Sequence, residues 1–154
     1  MRWWWWTGGG SWEGEALTGT APERFPAALV RFVELFNAGE FWESHEVLEG
    51  PWREHGSAFY QGLILYASAF VHAKRDNAHG IRAQLRKARQ ALAPYEPAYL
   101  GVDTAAVRRH ARQVIRTVEA TEDPPPSHWT DRIGFPRLEL HPELIRGSEP
   151  ELPG

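Results

Sequence analysis

The chain has 154 residues, 42% hydrophobic and 24% charged, with a net charge of −3 and no cysteine. That length suits one domain with a core of its own, and the missing thiols exclude disulfides and thiolate metal sites, so any metal would need His and carboxylate ligands. No apolar run reaches the roughly 18 residues of a membrane span, and the start lacks the apolar stretch of about 7 or more residues of a secretory signal, so a cytoplasmic protein without membrane contact is expected.

Residues 1–20 combine five tryptophans with a glycine run and show no helical or strand period. They read as a flexible arm, and exposed indoles on such an arm favour self-association. Helical text begins near Thr20, a candidate cap, with Pro22 in the first turn and a stripe of Leu29, Val30, Phe32, Val33 and Phe36 that stops at Asn37-Ala38-Gly39. A second helix covers about Glu40 to His55, with Pro51 expected to bend or stop its last turn. The third, about Ser57 to Arg75, is apolar nearly all round, as expected of the central helix of a bundle. After Asn77 and Gly80 a fourth spans about Ala78 to Ala93, and after Asp103, a candidate cap, a fifth spans about Thr104 to Ala120. Residues 121–154 are rich in proline and read as a tail extended over the bundle, anchored by Trp129, Ile133, Phe135 and Leu138. The expected architecture is all-α: an arm (1–20), a single-domain bundle of about five helices (21–120) and the tail (121–154).

One stretch carries most of the chemistry. Phe36-Asn37-x-Gly39-x-Phe41-Trp42-Glu43-x-His45-Glu46-x-Leu48-Glu49-x-x-Trp52-Arg53 is followed by Tyr60-x-Gly62-Leu63-Ile64-x-x-Ala67-x-Ala69-x-x-His72 and by Arg75-x-Asn77-x-x-Gly80. This ordered set, within about residues 29–93, resembles the domain-of-unknown-function family DUF309. The resemblance implies an all-helical fold and no particular reaction. Leu65 stands where the family usually has glutamine, and Pro51 interrupts a segment that normally favours helix.

At 100° per residue, Trp42, His45, Glu46, Glu49, Trp52 and Arg53 share an arc of about 120°, read as the side facing the core. On the third helix Gln61, Ser68 and His72 form the polar stripe. Should the stripes meet, His45, Glu46, Glu49 and His72 would converge between helices. Three readings stand together: a satisfied network, a pocket for a small organic ligand, and a divalent metal held by His45, Glu49 and His72. The order His-Glu-x-x-Glu is not the His-Glu-x-x-His of zinc proteases. The tryptophans read as core and rim packing.

Charge is unevenly spread. Residues 74–116 hold ten Lys/Arg against three Asp/Glu, between acidic flanks. Arg82, Arg86 and Arg89 form one stripe on the fourth helix, and Arg108, Arg109, Arg112 and Arg116 lie opposite the valines of the fifth. Guanidinium forks suit phosphate or an RNA backbone. The sequence pI near 6.2 is far from the usual nucleic-acid footprint, which favours a solvated face or a match to the acidic tail. The leading expectation is a non-enzymatic binding or interaction module focused on His45, Glu49 and His72. The alternatives are a metal-dependent hydrolase with Glu46 as general base, and an RNA or phosphate binder.

Overall fold

Apolar side chains recurring every three or four positions wind into helices because only then do they share one buried face. The computed structural model describes residues 25–122 and 125–153. Its helices are α1 (Ala27–Asn37), α2 (Phe41–His55), α3 (Ala58–Lys74), α4 (Ala78–Leu92), α5 (Thr104–Ala120) and the short α6 (Trp129–Ile133), with 3-10 turns at Ala93–Tyr95 and Pro142–Leu144. Among the described residues there is no strand beyond one isolated bridge, Tyr99 to Val102, so the all-α expectation holds. The tryptophan arm, the Thr20 cap and Pro22 lie outside the described residues.

One helix start differs from the sequence reading, and one proline does not stop its helix. α1 opens only at Ala27, behind Pro26 at φ −56° and ψ 136°, because a residue preceding proline is pushed out of the α region and Phe25 precedes Pro26. Pro51, expected to bend or stop α2, lies inside a helix that continues to His55. Part of the clash that makes proline disruptive is with the Cβ of the residue before it. That residue is Gly50, which has none.

Short connections place α1 to α5 as successive neighbours, and α3 packs most extensively, between α2 and α4. It buries Phe59, Tyr60, Leu63, Ile64, Tyr66 and Phe70, each contributing about 1.5–3 kcal/mol of apolar burial. Gly62 sets the α3–α4 approach: a Cβ there would stand 2.6 Å from Leu92 Cδ2. Phe36 is the hub of the core, stacked on Tyr66 at 5.5 Å and edge-on to Phe41 at 5.1 Å and Phe70 at 6.0 Å. Asn77 and Asp103 cap α4 and α5, accepting from the backbone N–H of Gly80 at 3.1 Å and Ala106 at 2.9 Å.

Residues 125–153 form a strap stapled along the bundle. Asp76 accepts from the Trp129 N–H at 3.0 Å and pairs with His128 Nδ1 at 2.5 Å. The Asn37 amide makes two 2.8 Å bonds to the Leu138 main chain, donating to its carbonyl and accepting from its N–H. His141 N–H donates to the Gly101 carbonyl at 2.7 Å. Finally the buried Glu151 accepts from Ser57 Oγ at 2.6 Å and from the Tyr99 hydroxyl at 2.8 Å. Of the expected anchors, Trp129 and Leu138 are buried and Ile133 is partly so, whereas Phe135 is 49% exposed and lies against Phe41 at 5.1 Å.

Candidate functional site

The buried stripe of α2 is Phe41, Ser44 and Leu48, at i, i+3 and i+7. The hydrophobic effect turns that face inward and rotates the polar arc outward, contrary to the expectation that His45 and Glu49 face the core. Trp42, Glu46 and Arg53 are exposed, while His45, Glu49 and Trp52 are half-buried at the edge. Trp42, read from sequence as packing, is 50% exposed and stacks on the His45 ring at 5.1 Å. Glu49 receives His45 Nε2 at 3.8 Å from one turn before and Arg53 at 3.7 Å from one turn after. His45 Nδ1 is buried without a hydrogen-bond partner among the described residues.

His72 belongs to another neighbourhood. Its Nδ1 lies 3.1 Å from the Asn77 amide nitrogen, and its ring sits so close to Gly80 that a Cβ there would meet Nδ1 at 2.4 Å. Glycine at position 80 thus lets α4 start beside the imidazole. Burial, with Arg75 nearby, lowers the His72 pKa. Gln61 is exposed. Among the described residues no three His, Asp or Glu side chains are placed to hold a metal ion. His45, Glu49 and His72 therefore do not form the expected ligand set, because α2 turns its polar arc to solvent while the α3–α4 turn holds His72.

A cleft lies elsewhere, between the strap, α3 and α5. Residues 136–139 and His141 of the strap roof a cleft of about 500 Å³ over Tyr66 of α3 and the first half of α5. Val102, Ala106, Val107 and Leu138 supply apolar walls, and Asp103, Arg137, Glu139 and His141 a polar rim. At its inner side the Tyr66 hydroxyl and His110 Nδ1 are hydrogen-bonded at 2.7 Å, and the His110 ring stacks on Phe70 at 6.1 Å. Burial alone lowers the His110 pKa and raises that of Tyr66, so the pair is neutral near pH 7. At the rim His141 is flanked by Glu143 at 3.5 Å and Glu139 at 3.8 Å.

Neither His110 nor Tyr66 stands in a motif of the sequence. His110 follows Val107 by three and precedes Val114 by four, a spacing that places it on the flank of the apolar stripe. The roof was not legible, since the strap has no period.

The arginines divide. Arg86 pairs with Glu119, and Arg108 with Glu96. Arg82 and Arg89 are half-buried, and Arg109, Arg112 and Arg116 are exposed.

The model of the family DUF309, a domain of unknown function, matches residues 29–84, which bears out the resemblance. The matched segment covers α1 to α3 and about half of α4, leaving α5 and the strap outside. No curated protein matches the chain. No helix among the described residues is long and apolar enough to cross a membrane.

Proposed function

We propose that the protein is a non-enzymatic binding module whose ligand is a small organic molecule lodged under the strap. The observation that carries this reading is the cleft of about 500 Å³ with an inner Tyr66–His110 hydrogen bond. Apolar walls with a few converging polar groups are the usual make-up of a small-molecule site. The walls call for an apolar body, and the neutral pair and mixed-charge rim call for an uncharged or zwitterionic polar end. The tyrosine and histidines of the cleft are already occupied, Tyr66 with His110 and His141 with Glu139 and Glu143, which favours holding a ligand over transforming it. The α2 polar arc serves this module as a solvent-facing surface.

The test is a ligand-observed NMR screen of small amphipathic fragments against the wild type and Ala106→Trp. Ala106 is half-buried and lines the cleft, so an indole there occupies the ligand's space. Fragments that bind the wild type and lose their signal in Ala106→Trp are expected. Binding that persists unchanged in the variant, or a screen without hits, would sink the proposal.

A further inference from the structure

The α4–α5 surface carries a second, independent feature. Arg89 and Arg108 are locked together by reciprocal bonds: Arg89 Nε donates to the Arg108 carbonyl at 3.3 Å, and Arg108 Nε to the Arg89 carbonyl at 3.0 Å. The Arg108 guanidinium is then neutralised by Glu96. Arg89 has no such partner, and Arg112 and Arg116 make no ion pair or hydrogen bond among the described residues. Arg108, Arg112 and Arg116 follow one another at i, i+4 and i+8, one line along α5 with about 6 Å between successive members.

The acidic tail that the sequence offered as a match is engaged elsewhere. Glu149 accepts from the backbone N–H groups of Leu100, Arg146 and Gly147, and Glu151 binds Ser57 and Tyr99. Burial and the charges of Arg108, Arg112 and Arg116 together lower the Arg89 pKa, with Glu96 opposing. Four guanidinium groups around the single carboxylate of Glu96, itself paired with Arg108, leave an excess of like charge that costs stability, and an anion relieves that cost.

We propose that the α4–α5 surface holds a binding site for an oligophosphate group, gripped by the guanidinium forks of Arg89, Arg112 and Arg116. Planar forks match phosphate oxygens two at a time. Because Arg89 is oriented through Nε, its terminal nitrogens are set before the ligand arrives. Three positive charges spread over two turns exceed what one phosphate can neutralise, so linked phosphates fit better than a single one. The site is separate from the cleft under the strap and does not depend on it.

Calorimetric titration with inorganic tripolyphosphate at fixed ionic strength tests this on the full chain. Arg112→Gln/Arg116→Gln is the test variant, and Arg75→Gln/Arg132→Gln, exposed arginines on other elements, is the equal-charge control. The expected result is a loss of about tenfold or more in affinity for the Arg112→Gln/Arg116→Gln variant, since bonds to charged groups carry that much, with the control near wild type. Without phosphate at low salt the same variant should melt higher than wild type, because repulsion is relieved. Equal weakening in both variants, or no binding by wild type, overturns the proposal. A short RNA in the same titration separates the two sources of phosphate: displacement of tripolyphosphate by RNA at lower phosphate concentration assigns the site to a nucleic-acid backbone, and the reverse to a small oligophosphate.

Discussion

Two histidine-bearing regions of this molecule look alike in composition and differ in what surrounds them. On α2, His45 meets Glu49 one turn away on the same helix, at the edge of a face open to solvent. In the cleft, His110 meets Tyr66 across two helices and beneath a strap. The first contact is set by helical spacing and forms wherever that helix forms. The second exists only when α3, α5 and the strap are all in place. A long, half-exposed local pair contributes little, whereas a short buried pair is costly to break. The contact on α2 is therefore the weaker contributor to stability, and the contact between α3 and α5 the stronger.

Breaking the roof should have the largest effect. Trp129 is fully buried, so Trp129→Ala should cost about 3–5 kcal/mol. Chemical denaturation reads this directly. Hydrogen exchange should rise in residues 136–141 while α2 and α3 stay protected, and uniform exchange throughout would mean that the strap and bundle unfold as one.

Breaking the inner pair should cost less. Tyr66→Phe leaves His110 Nδ1 without its partner, at about 1–3 kcal/mol. The same pair sets a pH dependence. The folded pKa of His110 is lowered from 6.5, so the unfolded chain binds the proton more readily. Its contribution to stability is complete above pH 6.5 and is lost as pH falls from there toward the folded pKa. His110→Gln should flatten the stability curve on that acid side in a urea series. A curve that keeps its full slope would show that other groups carry it.

The smallest effect is expected on α2. Glu49 is one-third exposed and its partners stand at 3.7 and 3.8 Å, so Glu49→Gln should change stability by about 1 kcal/mol or less. A loss above about 2 kcal/mol would erase the contrast between the regions and return the motif to the centre of the molecule.

Within the matched segment, several motif residues do structural work visible only in three dimensions. Asn37, read as a helix stop, ends α1 and also clamps Leu138 from 101 positions away. Gly80, read as punctuation, makes room for His72. His72 would join His45 only where the two polar stripes met; its neighbours are Asn77 and Gly80, while Phe41, Ser44 and Leu48 hold the inward face of α2. Pro51 does not stop α2, because Gly50 before it offers no Cβ to the proline ring.

By itself the sequence determined the five main helices, their approximate ends apart from the start of α1, the central place of α3 and the cap at Asp103, since period and capping are local and need only neighbours three or four residues away. The tertiary structure alone decided which face of α2 turns outward, that His110 joins Tyr66, that the strap roofs a cleft, and which arginines keep their charge open. Those outcomes rest on contacts between residues dozens of positions apart, where competing burial and charge pairing are resolved only in the assembled core.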